Sequence, residues 1–431
     1  MELALTGFGI LLFLAFIGVP LAFATLAVGF FGLMYLRGMS AALSVSSQWI
    51  VETSLNYSLS IIPLFVLMGA FIHRSGISRD LFAASYAWLG RFRGGLALSG
   101  VLSCAGFAAV CGSSLATAAT MTRVAVPPMR EFKYNEGFAA GTIAAGGTLG
   151  IMIPPSVPLA IYGIVAGEDI GLLFIAGILP GILLIVLFMA AVVIVTGLRP
   201  DFGPKGVAMS LRDTLRASYS TWPVILLFSV VLGGIYVGIF TPTEAAAVGC
   251  AGAFVFGVFR GHFLDRESLW GVFQETVTTT AMIFAIVFSA LILAQFVNLT
   301  GMPYDLQALV LGWGLGPTGL VLMICAICVL LGMVFESIGI LLLIIPVFLP
   351  SLSSLGVDLI WFGILVIIVI ELGLISPPIG MNVFVVKSVA PEIPLLSIFL
   401  GVLPYLIAMV LGGILILNIP EIATFLPNAM R

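Results

Sequence analysis

The sequence has 431 residues, of which 61% are hydrophobic and only 8% are charged. Sixteen basic and nineteen acidic residues nearly balance, which excludes a nucleic-acid-binding patch and a polybasic membrane-surface segment. No soluble core could bury so much apolar surface, so the composition predicts an all-α polytopic membrane protein. All five cysteines lie in apolar stretches, which argues against a disulfide framework or a metal site.

The chain begins with the apolar residues 3–36, about twice the roughly 20 residues that one span requires. Pro20 interrupts this run, which predicts two short spans. The start lacks a basic region and a small-residue cleavage site, so we expect a retained first span rather than a signal peptide. Residues 38–57 are mixed in polarity and are expected to lie along the interface, whereas residues 59–72 cross the membrane.

A re-entrant helical hairpin is predicted at about 94–129. This run has basic residues near both of its ends and a polar tip at Cys111–Ser114 near its centre. A segment that returns to the side from which it started fits a hairpin better than a single span.

A broken helix is predicted at about 137–165. Residues 146–156 include three glycines and the pair Pro154 and Pro155, which removes backbone donors and frees carbonyl groups at membrane depth. Residues 170–197 then cross back. The polar stretch 199–220 is interpreted as a cytoplasmic linker between two halves.

The second half repeats these features. Pro242 follows Pro20 by 222 residues and separates the apolar runs 221–240 and 243–259. A span is predicted at 277–297. The second hairpin is predicted at about 317–350, and the second broken helix, with its own Pro-Pro pair, at about 357–386.

The two halves are predicted to be inverted-topology repeats. Residues 71–81 and 296–306 share a motif, yet basic residues surround only the first copy, and no Lys or Arg occurs between Arg266 and Lys387. The positive-inside rule therefore places the two copies on opposite faces. We predict a first repeat over 1–198 and a second over 221–431, each with about five spans and one hairpin, and both termini in the periplasm.

Hairpin tips and helix breaks are expected to converge near the middle of the membrane, where free carbonyls suit a cation and helix N-termini suit a carboxylate. Two candidate cation sites follow. The first contains Ser113, Ser114, Gly150, Ile153 and Pro155, and the second contains Gly332, Glu336, Ser337, Gly373, Ser376 and Ile379. Alternatively, the serines and glycines only allow close helix packing, and Glu336 and Glu371 cap freed N–H groups.

Candidate substrate ligands are neutral groups near the tips and breaks together with one arginine. They are Ser113, Ser156, Gly380, Asn382 and Arg123. The alternative for Arg123 is that its side chain extends along the helix toward the cytoplasm, and this alternative is favoured from the sequence.

Other classes of function fit less well. The two histidines, His73 and His262, lie in charged loops, so no nucleophile and base pair indicates an enzyme. No phosphate-binding Gly-Lys-Ser/Thr loop indicates ATP as the energy source. A channel predicts continuous polarity along a pore, whereas polarity here is concentrated at two tips and two breaks. A stand-alone carboxylate carrier driven by protons or sodium stays open.

Several stretches resemble the large membrane subunit of tripartite ATP-independent periplasmic (TRAP) transporters. The similar stretches are residues 111–118 (Cys-Gly-Ser-Ser-Leu-Ala-Thr-Ala), 147–156, 234–248 and 371–380. They occur in both halves. Cys111 departs from the small Ser or Ala that is frequent in the family, which weakens a side-chain role at that position.

The resemblance implies an elevator-type secondary transporter in a bacterial inner membrane, with Na⁺ as the coupling ion. It also implies two protein partners, a small membrane subunit and a soluble periplasmic substrate-binding protein. The expected substrate is a small organic acid such as a C4-dicarboxylate, sialic acid, or a related sugar or keto acid.

Overall fold

The computed structural model describes residues 1–314 and 316–430, and over these residues it contains helices and no strand. This confirms the all-α prediction. The first half contains α1 (Glu2–Phe16), α2 (Leu21–Arg37), α3 (Met39–Leu55), α4 (Ile61–Arg74), α5 (Ile77–Leu89), α6 (Gly95–Cys111), α7 (Ser114–Glu131), α8 (Glu136–Met152), α9 (Val157–Ala166) and α10 (Ile170–Leu198).

The rest of the chain is also helical. It contains α11 (Leu211–Tyr219), α12 (Trp222–Tyr236), α13 (Pro242–Phe259), α14 (Arg266–Leu299), α15 (Met302–Gly312), α16 (Pro317–Gly332), α17 (Ser337–Ser354), α18 (Leu359–Leu374), α19 (Met381–Val389), α20 (Leu395–Asn418) and α21 (Glu421–Met430). Short 3₁₀ helices occur at Tyr57–Ser60 and Pro200–Phe202.

Local sequence signals set most boundaries. Pro20 is the N-cap residue of α2, and it separates two helices of 15 and 17 residues as predicted. At the start of α13, Thr241 and Glu244 form a capping box and Pro242 occupies the first turn. Two expectations were incomplete: α14 begins at Arg266 rather than near 277, and α11 lies within the stretch interpreted as a linker.

The protein is a multi-pass membrane protein. Among the described helices, six are long and apolar enough to cross a bilayer, or up to eight if each bent helix pair counts as one span. This number is below the predicted ten spans because several apolar helices, including α1, α2 and α18, have only 15 to 17 residues.

Backbone hydrogen bonds tie the segment between α10 and α11 to two other connections. The N–H of Gly94 donates to the carbonyl of Gly203 at 2.9 Å, and the N–H of Asn135 donates to that of Phe202 at 3.2 Å. The connections α5–α6, α7–α8 and α10–α11 therefore lie on the same face of the protein.

Ion pairs add two further connections to that face. Arg130 at the end of α7 binds Glu392 between α19 and α20, with a nitrogen to oxygen distance of 2.6 Å. Arg260, which follows α13, pairs with Asp80 at the start of α5. We call this the basic face, because the loops gathered there and the helices that flank them carry most of the arginines.

The two broken helices run in opposite directions. A methyl group added at Gly137 would lie 2.4 Å from the carbonyl oxygen of Ser397, so α8 and α20 both begin at the basic face. At the other face, the hydroxyl of Tyr162 near the end of α9 donates to the carbonyl of Leu359 at the start of α18, at 2.5 Å. This arrangement is the one that inverted repeats require, and the repeat itself stays a prediction.

Cysteine labelling tests the inversion at matched positions. Arg79 and Tyr304 occupy corresponding places in the two shared motifs, 225 residues apart, and both side chains are exposed. In intact cells a membrane-impermeant maleimide is expected to label Tyr304→Cys, whereas Arg79→Cys reacts only after permeabilisation. Labelling of both from the same side would contradict the inverted topology.

Candidate functional site

The first hairpin consists of α6 and α7, and the first broken helix consists of α8 and α9. The tip of this hairpin docks onto the break of its own half. A methyl group added at Gly150 in α8 would lie 2.6 Å from the carbonyl oxygen of Ser113, and one added at Gly112 would lie 2.8 Å from that of Pro155. The hydroxyl of Thr117 also donates to the Ser113 carbonyl, at 2.7 Å. Glycine at positions 112 and 150 thus allows several neutral oxygens to gather in one place.

The second hairpin, α16 and α17, meets the break between α18 and α19 in the same way. A methyl group added at Gly373 would lie 2.6 Å from the Cα of Gly332, so α16 and α18 touch through their backbones. The N–H of Gly380 donates to the carbonyl of Met333 in the tip, at 3.3 Å. The hydroxyl of Ser376 donates to the carbonyl of Leu372 at 2.6 Å.

The two breaks differ in their surroundings. Residues 153–156 are buried, whereas Pro377 and Pro378 are exposed and Ile379 is half-buried. The cation role predicted for Ile153 and Ile379 stays a prediction in both cases. The difference means that the second break faces away from the packed interior.

Glu371, one turn before the second break, is buried with 1% of its surface exposed. Its Oε1 accepts a hydrogen bond from the hydroxyl of Ser337 at 3.4 Å, and its Oε2 has no hydrogen-bond partner among the described residues. No described arginine, lysine or histidine pairs with it. Among the described residues no N–H group donates to Glu371, so no hydrogen bond supports its interpretation as a cap.

Both hairpin tips line one cavity of about 390 Å³. The first tip contributes Ser113 and Ser114, and the second contributes Glu336 and Ser337. These side chains come from different halves of the chain, more than 200 residues apart in sequence. The predicted convergence of the tips is therefore what the structure contains.

One face of α7 forms a wall of this cavity. Ser113, Ala116, Thr120 and Arg123 follow one another at intervals of three or four residues, which places them on one side of the helix. Arg123 is exposed to the cavity, and within the described chain it has no ion pair or side-chain hydrogen bond. Its place in the cavity favours substrate binding over the alternative that the sequence favoured.

The opposite wall comes from α4 and α14. The side chains of His73 and Glu275 line it, with a distance of 3.7 Å between His73 Nδ1 and Glu275 Oε1. Arg74 also pairs with Glu275, at 3.4 Å. The negative charge of Glu275 is thus balanced on its own wall, whereas Arg123 and, at the second tip, Glu336 line the cavity without an ion pair among the described residues.

The cavity extends from the tips toward the basic face. Arg123 lies nine residues after Ser114, or about 13 Å along α7 toward its basic end. On the other wall, the lining residues descend α14 from Ile286 to Glu275, toward its start at Arg266. The structure therefore has its cavity open on the basic side.

Three predicted substrate ligands do not line this cavity. Ser156 is buried, and its hydroxyl caps α9 by accepting from the N–H of Leu159 at 3.3 Å. Asn382 is buried against α8 and donates to the carbonyl of Ala144 at 3.3 Å. Gly380 has a left-handed conformation at the start of α19.

Outside the spans, the electrostatics of the basic face are dominated by Arg130. The pKa of Glu392 is lowered by a hydrogen bond from the backbone N–H of Glu392 itself and by a second one from the Arg130 guanidinium. The same guanidinium binds Glu136 at 3.0 Å. Arg130 is therefore fully engaged, in contrast to Arg123 two turns earlier.

Sequence reasoning missed the wall made by α4 and α14. Nothing local in residues 66–73 or 275–286 indicates that they face a cavity, because that contact depends on long-range packing. For Thr120 a signal existed, since it follows Ser113 and Ala116 at helical intervals toward Arg123.

The family model described as "Tripartite ATP-independent periplasmic transporter, DctM component" matches residues 8–422. The chain is 36% identical over 381 residues to the C4-dicarboxylate TRAP transporter large permease protein DctM of Pseudomonas aeruginosa, covering 88% of each chain. It is 31% identical to the sialic acid TRAP transporter large permease protein SiaM of Vibrio cholerae, covering 96% of each chain.

Among solved structures, the YdaH transporter of Alcanivorax borkumensis has a similar fold, with a TM-score of 0.65. The alignment covers 90% of this chain and 89% of that one, at 15% sequence identity. At this level of identity the likeness concerns the fold alone.

Proposed function

Because this chain belongs to the family of the DctM component of tripartite ATP-independent periplasmic transporters, we propose that it carries a small organic acid across the bacterial inner membrane, driven by sodium. The chain is a transporter permease rather than an enzyme. One observation carries the proposal: both hairpin tips and the unpaired Arg123 line a single cavity that opens on the basic side.

The guanidinium of Arg123 suits an acid. A guanidinium offers a carboxylate two parallel hydrogen bonds, and these charge-assisted bonds are stronger than neutral ones. Serine hydroxyls at both tips add donors for the remaining oxygens of the substrate. C4-dicarboxylate and sialic acid, which appear in the names of two relatives, have this chemistry.

Sodium is proposed to bind where each hairpin tip docks onto its break. In the first half the carbonyl oxygen of Ser113 lies against Gly150 and that of Pro155 lies against Gly112, so closely that a methyl group at these positions would lie 2.6 and 2.8 Å from them. Uncharged oxygens of this kind are the ligands that unwound transporter helices offer to Na⁺. In the second half the corresponding contact joins Gly332 and Gly373.

The two hairpins and two breaks are proposed to move as one body in an elevator mechanism. They pack closely on each other and on α20, and the cavity lies where the tips meet α4 and α14. Sliding of this body along α4 and α14 would expose the same cavity to the other side of the membrane. Sodium bound at the tips would bias which position is populated.

Substrate capture is proposed to depend on other proteins. Within the described part of the chain, the longest stretch without helix is 203–210, so no capture domain is built from these loops. We therefore propose that a soluble periplasmic binding protein delivers the acid and that a small membrane subunit completes the transporter, with both termini in the periplasm.

Reconstitution into proteoliposomes tests this function. With the small membrane subunit, the binding protein and an inward sodium gradient, we expect concentrative uptake of the acid that the binding protein carries. The chain alone, assayed with a panel of dicarboxylates and sugar acids, is expected to give none. Concentrative uptake by the chain alone would establish the stand-alone carrier instead.

The same vesicles separate sodium from proton coupling. A proton-coupled carrier is favoured by one observation, the burial of Glu371 without a cationic partner in the described chain. We expect uptake to require sodium and to persist when the proton gradient is dissipated. Uptake driven by a proton gradient in sodium-free buffer would refute the sodium assignment.

A further inference from the structure

A second cavity lies outside the transport site, between helices that belong to different parts of the fold. It is a groove of about 590 Å³ lined by residues of α5, α6, α10 and α12. Its lining is almost entirely apolar. Representative lining residues are Leu81, Ala84, Leu102, Ala109, Ile182 and Phe228.

The groove covers about one leaflet of the bilayer. Its deep end is the first helix break, at Ile153 and Pro154, and its outer end lies at Trp88 and Ser218 on the basic face. Along α6 its lining runs from Leu102 to Ala109, which corresponds to about 10 Å of helix. Half of a bilayer core is about 15 Å thick.

The outer end of the groove is surrounded by positive charge. Residues 88–93 and 199–222 together carry six basic side chains but only two acidic ones, Asp201 and Asp213. All six basic side chains are exposed, and among the described residues none of them has an ion pair; they are Arg91, Arg93, Arg199, Lys205, Arg212 and Arg216. Unpaired arginines and lysines at this depth attract anionic headgroups.

Helix α11 beside the groove has the features of an interfacial helix. Leu211, Leu215 and Tyr219 form a stripe at four-residue intervals, and each is more than half exposed. The indole N–H of Trp88 on α5 donates to the hydroxyl of Ser218 at 2.8 Å, which holds α11 at the mouth of the groove. An apolar stripe flanked by arginines is expected to lie in the headgroup region.

We propose that the groove is a specific binding site for an anionic phospholipid of the leaflet on the basic side. The phosphate would lie among Arg91, Arg212 and Arg216, and one acyl chain would enter the groove as far as the helix break at Pro154. A transmembrane helix of a protein partner fits less well, because it spans about 30 Å of hydrocarbon and this groove covers only about a third of that length.

The position of the lipid gives it a consequence for transport. Its acyl chain would contact α5 and α12 as well as α6 of the first hairpin. A bound lipid therefore stabilises the relative positions that α5, α6 and α12 have in this structure, with the transport cavity open on the basic side.

Native mass spectrometry of the purified full chain tests the binding. Titration with phosphatidylglycerol and with phosphatidylcholine of identical acyl chains is expected to show tighter binding of phosphatidylglycerol. Ile182→Trp fills the groove from an exposed position and is expected to weaken that binding about tenfold. Val186→Trp, an equally exposed residue one turn further along α10 and outside the groove, is the matched control.

A second pair of variants tests the headgroup. The double change Arg212→Gln and Arg216→Gln is expected to weaken phosphatidylglycerol binding about 25-fold, since each basic residue near an anionic lipid contributes about fivefold. Arg266→Gln, exposed on the basic face at the start of α14, should have no effect. Equal binding of both lipids by the wild-type chain, or equal losses in Val186→Trp and Ile182→Trp, would overturn the proposal. The small membrane subunit, where it co-purifies with the chain, gives a further outcome. If Ile182→Trp loses this subunit while lipid binding is unchanged, the groove binds the subunit and the proposal is overturned.

Discussion

Replacing Arg123 by glutamine is expected to raise the substrate concentration for half-maximal uptake by about 10- to 100-fold. Arg123 is the unpaired cation of the cavity in the described chain, and it lies on the same face of α7 as Ser113 at the tip. A charge-assisted hydrogen bond contributes about 1.5 to 3 kcal/mol, which corresponds to this range. Glutamine keeps the length and polarity of the side chain but removes the charge.

Uptake measured in proteoliposomes with the binding protein present checks this expectation. Arg79→Gln is the matched control, because Arg79 is an exposed arginine on the basic face and does not line the cavity. Lysine at position 123 should retain part of the activity, since it keeps the charge but loses the bidentate geometry. An unchanged half-maximal concentration in Arg123→Gln would contradict substrate binding by Arg123. It would support the alternative that this side chain only extends along the helix toward the cytoplasm.

Local chemistry explains why the sequence predicted the main elements. Glycine and proline mark each interruption, as at Pro20 and at residues 153–156, because they remove donors or side chains that a continuous helix needs. The polar tip at Ser113 is an N-cap residue whose side chain accepts from the N–H of Ala116. Such signals act within a few residues, so they can be read directly from the chain.

Contacts between distant elements could not be predicted in this way. The sequence left two orientations open for Arg123 because both suit an arginine in the middle of a hairpin helix, and only the packing of distant elements around α7 creates the cavity. Helix α11 was missed because its short polar stretch resembles a linker, whereas its apolar stripe is visible only at helical spacing. The paired contacts of Gly137 with Ser397 likewise depend on which helices meet.

The proposed sodium sites are expected to be the most sensitive to a single methyl group. In Gly150→Ala the new carbon would lie 2.6 Å from the carbonyl oxygen of Ser113 and 2.8 Å from its carbonyl carbon. Both are backbone atoms, so neither can move aside as a flexible side chain would. The tip must then shift away from the break, which separates the oxygens that would bind the ion.

We expect Gly150→Ala to raise the sodium concentration for half-maximal uptake at least about tenfold, and Gly373→Ala to do the same in the second half, where the contact with Gly332 is equally close. Gly197→Ala in α10 is the control, since its added carbon has nothing within 4 Å. Alanine there should leave transport unchanged and slightly favour the helix.

Thermal unfolding in sodium and in potassium chloride distinguishes loss of the ion site from general damage. A ligand that binds only the folded protein raises its stability according to its concentration relative to Kd, so sodium should stabilise the wild-type chain more than potassium does. In Gly150→Ala this difference should shrink, while the cost of the clash itself lowers the melting temperature equally in sodium and in potassium. If sodium protects Gly150→Ala as strongly as the wild type, the docked tip and break are a packing contact only, and the coupling ion must bind elsewhere in the protein.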